Sequence, residues 1–216
     1  MSTSIDLRYP FAGRWLARNS PANRVPSHGT RLFATDYAID FVPVDETGRT
    51  APITLGSLVK PEPVDRFPGF GRPILAPVDG VVLTVHDGEP DHPAYRGLPS
   101  LRYALTRRRR ARAGWIALAG NHVLIEKRGV IVALCHLRQG SVAVRPRQEL
   151  RIGDVLGECG NSGNSTEPHV HVQALDSRDI ERAGAVGITF NGTLPANGEV
   201  IDADAHPRAL VPPSGS

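Results

Sequence analysis

The sequence predicts an all-β fold: an antiparallel β-sheet core with loop insertions and little helix. Three observations predict it. The 216 residues include 22 Gly and 19 Pro, and that many punctuators favour short strands joined by turns over long helices. Several short runs, YAIDFVPV and HVLIEKRGVIVALCHL among them, carry strand-type patterning. No helical segments separate these runs, which argues against the crossovers that a parallel sheet requires.

The elements follow in chain order. Residues 1–27 read as an extended, Pro-punctuated lead-in, and a single β domain is expected over 28–202. Tyr37 to Val44 is the first convincing strand. Its parity sets Tyr37, Ile39 and Phe41 on one face and Ala38, Asp40 and Val42 on the other. An acid among apolar strand residues is costly unless it is paired, hydrogen-bonded or bound to a metal. A turn at Pro77–Gly80 precedes a strand over Val81–Val85. Residues 89–119 read as an arginine-rich insertion, with one short helix around Leu98–Arg112. A hairpin follows, His122–Glu126 and Val130–Leu137, turning through Lys127, Arg128 and Gly129. Two short strands are expected around Val142–Val144 and Val155–Glu158. His169–Ala174 is the expected last core strand, and a flexible tail is expected over 203–216.

Composition narrows the function classes. Hydrophobic content of 40% and charged content of 22% are those of a soluble globular protein. No apolar run approaches the roughly 18 residues needed to span a bilayer, so no membrane insertion is expected. The first residues lack the pattern of a secretory signal. Two cysteines, Cys135 and Cys159, exclude a disulfide scaffold. They read as buried thiols, with a bridge between them left open. The window Arg102–Arg112 holds six arginines. Neither a recognition-helix pattern nor interleaved aromatics accompany them, so nucleic acid is not an expected partner. The bland reading is a solvated surface insertion; an anionic polymer would also be attracted to it.

The chemistry concentrates in NSGNSTEPHVH, Asn161–His171. On a strand, His169 and His171 project from one face, about 6.6 Å apart, and a Gly-, Asn- and Ser-rich loop feeds them. Zinc hydrolysis needs three protein ligands, an open fourth position and a group that moves protons. The candidates on or beside strands are Asp40, His122, His136, His169 and His171. His86, His92 and His206 lie in turns or tails and read as solvated.

These residues resemble a known family. ALCHL (Ala133–Leu137), the run from Val144 to Gly157 with Leu150, Gly153, Asp154 and Leu156, and GNSGNSTEPHVH resemble the core of the M23 peptidases. Those are the LytM- and lysostaphin-like zinc endopeptidases of bacterial cell walls. APVDGVV (Ala76–Val82) and GNHVLIEK (Gly120–Lys127) match the same order. The resemblance implies a sheet of the duplicated hybrid motif type, Zn2+ as cofactor and a peptidoglycan peptide as substrate. It implies metal ligation by Asp40 and His171, and a catalytic pair of His136 and His169.

One position departs from the family pattern. Most members carry a metal-binding histidine four residues before the aspartate, where this chain has Asp36. His28, twelve positions before Asp40, is the nearest upstream histidine and the expected third ligand, with Asp36 as the alternative. The function implied is a zinc-dependent endopeptidase acting on cross-links or stem peptides. The alternative is an inactive module that binds the wall or activates another hydrolase. Carrier domains of the biotinyl, lipoyl and phosphocarrier kinds share the APVDG and RIGDVLG turns. They do not explain Asp40 beside paired histidines, and Lys127 lacks a flanking Met. The family acts outside the cytoplasm, which stands against the absence of an export signal. The sequence is silent on oligomeric state.

Overall fold

The computed structural model describes residues 4–52, 54–100 and 112–203. Within them the chain forms β1 (Ser4–Leu7), β2 (Arg14–Arg18), β3 (Ile39–Pro43), α1 (Leu55–Val59), β4 (Pro73–Leu75), β5 (Gly80–His86), α2 (Trp115–Ala119), β6 (Asn121–Lys127), β7 (Val130–Leu137), β8 (Glu149–Leu150), β9 (Val155–Glu158), β10 (Val170–Leu175), β11 (Ala185–Phe190) and β12 (Val200–Asp202). The all-β antiparallel architecture expected from the sequence is found. The main sheet runs β12-β2-β3-β10-β7-β6-β5-β8, and β11 joins it through β10. One pairing, β1 on β11, is parallel. Strands β4 and β9 form a separate two-stranded ribbon.

Period-two patterning sorts the two faces of the sheet. Ile39, Phe41, Val132, Leu134, Val170 and Val172 enter the main core on one face. Ile131, Ala133, Cys135 and Leu175 enter a smaller cluster on the other. Fully burying each large apolar side chain contributes roughly 1.5–3 kcal/mol, so a one-residue slip in register would cost several such terms at once. The expected split of the first strand holds: Ile39 and Phe41 go to the main core, and Asp40 to the opposite face.

The hairpin β6–β7 is as expected, tightened to a two-residue turn. Lys127 pairs with Val130, and Arg128 and Gly129 both have positive φ, 52° and 83°, as a primed turn requires. β9 has the expected bounds. β10 begins at Val170, one residue later than expected.

Four expectations are corrected. Residues 1–27 are no lead-in: β2 is hydrogen-bonded to β3 inside the main sheet. Phe11 stacks on Trp15 at 4.4 Å and Tyr9 on Phe190 at 5.1 Å. Val142–Val144 is not a strand. It makes an isolated backbone bond, Ala143 N–H to Leu156 O, ahead of Pro146, and β5 is bordered instead by Glu149–Leu150. β10 is not the last strand, because β11 and β12 follow. Finally, His92 is not a solvated turn residue, as its contacts below show. The arginine window over 101–111, most of the expected helix over 98–112 and the tail beyond Ala203 lie outside the described residues. Cys135 and Cys159 are both buried free thiols, and burial pushes both thiols up.

Candidate metal centre

β3, β10 and β7 lie side by side, and their non-core face carries the polar cluster. His171 stands opposite Asp40 across one strand boundary and opposite Cys135 across the other. Asp40, His136, His169 and His171 are only 7, 6, 8 and 7% exposed. They share a groove of about 660 Å³, whose apolar lining includes Leu32, Phe33, Trp115 and Leu118, with the Phe33 and Trp115 rings meeting edge to face at 6.0 Å.

His28 arrives from a loop rather than a strand. Ser27 N–H bonds Asp36 O at 2.9 Å, and Ser27 Oγ donates to Thr35 O at 3.1 Å, so the loop from 28 to 35 is cinched at its base. His28 Nδ1 donates to Ser27 Oγ at 2.9 Å, which leaves Nε2 facing Asp40 Oδ2 at 3.1 Å. Asp36 does not reach this point; its carboxylate pairs with Arg31 at 3.1 Å. One ligand atom each from His28, Asp40 and His171 lie within 4.8 Å of one another.

The hydrogen bonds decide what this trio can hold. Gln173 Nε2 donates to Phe33 O at 2.8 Å, which turns Gln173 Oε1 toward His171 Nε2, also at 2.8 Å. His171 Nε2 therefore carries its proton there, and Nδ1 points a lone pair at Asp40 Oδ1, 2.8 Å away. Two acceptors that close need a cation between them, either a proton or a metal ion. Burial alone would push the Asp40 carboxyl up, but His28 and His169 charge and the His171 hydrogen bond hold it well below the usual range. Burial likewise lowers His171, and the Asp40 hydrogen bond and charge outweigh it, so the net shift is upward. Asn19 Nδ2 adds a 2.6 Å bond to Asp40 Oδ2. Two imidazoles and one carboxylate, each with its outer atoms satisfied, make a donor set that fits zinc.

His136 and His169 flank this trio, ring centroids 4.6 Å apart. His136 gets there by a β-bulge. Asn121 pairs with Leu137 and His122 with Cys135, so His136 is the extra residue on β7. Its φ of 65° turns a side chain that strand parity would send to the main core onto the groove side. Its Nδ1 donates to Ser162 O at 2.9 Å. Ser162 is held in turn by Oγ–H to Leu137 O at 2.8 Å and by Asn121 N–H to Ser162 Oγ at 2.9 Å. The approach demands glycine: a Cβ on Gly163 would lie 2.4 Å from Gly120 N, and Gly163 has φ of 70°. His169 Nδ1 donates to Glu167 O at 2.8 Å. Burial depresses both imidazoles, His136 strongly, and each other's proximity adds to it for His136. Both rings are thus neutral near pH 7, with Nε2 as the basic atom.

His122, a further candidate from the sequence, lies on the same face two strands from His171. Its Nδ1 bonds Gly120 O at 2.8 Å and its Nε2 receives Trp115 Nε1–H at 3.3 Å, so it is a structural histidine. His86 faces Glu89 at 3.2 Å. His206 lies outside the described residues. Sequence reasoning missed three supporting groups: Asn19, Gln173 and the segment around His92. His92 Nε2 meets Gly163 O at 3.0 Å, Asn161 Nδ2 donates to His92 O at 2.7 Å, and Tyr95 N–H bonds Thr166 O at 2.7 Å. The start of the supposed insertion thus braces the loop that orients both groove histidines. Gln173 was within reach, since it shares the parity of His169 and His171.

Comparison with known proteins bears out the resemblance. The model of peptidase family M23 matches residues 104–181, a stretch that holds His136, His169 and His171 but not His28 or Asp40. A variant of the catalytic domain of the prophage-encoded M23 protein EnpA from Enterococcus faecalis is similar at 17% identity and TM-score 0.40. It covers 69% of this chain and 73% of that one. The catalytic domain of the antimicrobial peptidase lysostaphin from Staphylococcus simulans is similar at 16% identity and TM-score 0.38, covering 69% of this chain and 74% of that one. A search of curated proteins gives no match. Among the described residues, no helix is long and apolar enough to cross a membrane.

Proposed function

We propose that this chain, whose residues 104–181 match the model of peptidase family M23, is a zinc-dependent endopeptidase acting on cross-links or stem peptides of bacterial peptidoglycan. The observation that carries this reading is the convergence of His28, Asp40 and His171 to within 4.8 Å, in one groove with His136 and His169. His28 Nε2, an Asp40 oxygen and His171 Nδ1 would hold the ion. Bound zinc would polarise a scissile carbonyl and make water a nucleophile at neutral pH.

The remaining work falls to side chains of this chain. His169 Nε2, 3.7 Å from Asp40 Oδ1, and His136 Nε2 face the same space. One takes the proton from attacking water, and one returns a proton to the leaving amine nitrogen. Their Nδ1–H bonds to backbone carbonyls hold each ring in the tautomer this requires. No His-Glu-x-x-His helix is present in the sequence, so no glutamate base competes for the role.

The test is zinc analysis with release of dye-labelled peptidoglycan fragments. About one zinc per molecule with release supports the enzyme. Bound zinc without release, across several wall chemistries, would favour an M23-like binding or activating module instead.

A further inference from the structure

The groove has a second recognition feature, and it bears on which peptides the proposed peptidase accepts. Among the described residues lining it, Arg24 is the one permanent cation and Asp40 the one carboxylate. Arg24 Nε donates to Ser27 O at 3.1 Å. That carbonyl belongs to the peptide bond joining Ser27 to His28, so the guanidinium is tethered beside a proposed metal ligand. Arg18 and Arg31, nearby in sequence, are paired with Glu167 at 2.6 Å and with Asp36 at 3.1 Å. Arg24 has no carboxylate partner among the described residues.

From this we infer that Arg24 is a specificity-determining residue that binds a carboxylate of the substrate. The inference rests on the reading of this groove as a peptide-cleaving site. With Nε committed to Ser27 O, the two terminal nitrogens of Arg24 are available to meet a carboxylate as a fork. The same lining includes Leu32, Phe33, Trp115 and Leu118, which suit an apolar side chain. The preferred substrate is therefore a peptide that carries a free carboxylate and an apolar side chain close to the scissile bond. A peptide capped as carboxamide loses the charge-assisted pair.

The test uses the full chain loaded with zinc and carrying His169→Gln to prevent turnover. Two synthetic stem tetrapeptides are titrated, identical except that one α-carboxylate is replaced by a carboxamide. The acid form binds about tenfold more tightly. Adding Arg24→Ala removes the preference, and Arg24→Lys, which keeps the charge but not the fork, retains part of it. Equal binding of the two peptides, or a preference that survives Arg24→Ala, overturns the assignment. Failure of the peptidase reading looks different. A chain that takes up no zinc yet still prefers the acid through Arg24 would sink that reading and leave Arg24 standing. Zinc uptake and wall cleavage without the preference would do the reverse.

Discussion

Asp40 of β3 and His171 of β10 stand directly opposite each other in adjacent antiparallel strands, with Oδ1 and Nδ1 2.8 Å apart. The pairing uses the non-core face of two central strands, so the carboxylate–imidazole distance is set by the sheet ladder rather than by a loop. His28 is different, because a cinched loop delivers it.

This difference orders the effects of ligand removal. Asp40→Ala and His171→Ala abolish zinc binding, measured by metal analysis after dialysis. His28→Ala lowers zinc affinity by at least about 10-fold. Asp36→Asn retains zinc, because its carboxylate faces Arg31. Full occupancy in the Asp40 or His171 variant would refute the ligand set, and loss of zinc in Asp36→Asn would restore Asp36 as a ligand.

The groove histidines separate metal binding from turnover. His136→Gln and His169→Gln keep about one zinc and lose roughly 10²–10⁴-fold in cleavage rate. Wild-type rates from either variant, in a peptidoglycan release assay, would remove that residue from the mechanism.

The brace behind His136 is a stability element. Ser162→Ala takes the acceptor from the buried Asn121 N–H, while Leu137 O keeps a second donor in Asn121 Nδ2 at 3.1 Å. An unsatisfied buried group costs about 1–3 kcal/mol, so urea unfolding should shift by that much with an unchanged slope. An unaltered midpoint would show that the loop repacks.

His122 provides a pH readout remote from the metal centre. Burial lowers its pKa from the ordinary 6.5, with the Gly120 hydrogen bond opposing and His86 adding to it. Below about pH 6.5 the unfolded chain binds a proton that the folded chain refuses. Stability therefore falls as pH drops from there toward the folded-state pKa. His122→Gln should flatten this slope by at most about 1.4 kcal/mol per pH unit. An identical slope in the variant, by denaturant titration between pH 7 and 5, would assign the effect elsewhere.

Legibility follows the range of the interactions. β3, the β6–β7 hairpin, β9 and β10 are legible because each is a short apolar run bounded by its own turn residues. β1 and β2 are not, because their partners β11 and β12 lie at the far end of the chain and Pro-rich surroundings mask them. Val142–Val144 misleads for the converse reason: good strand residues there find no partner for a full ladder.

The sequence by itself determined the all-β class, the parity of Asp40, and the shared face of His169 and His171, since these depend on a two-residue repeat that is local. The tertiary structure alone decided that His28 reaches Asp40 while Asp36 turns to Arg31, and that His136 enters the groove at all. The first depends on Ser27 meeting the backbone of Thr35 and Asp36. The second depends on a bulge and on a carbonyl 26 residues away, contacts between distant segments that no local pattern encodes.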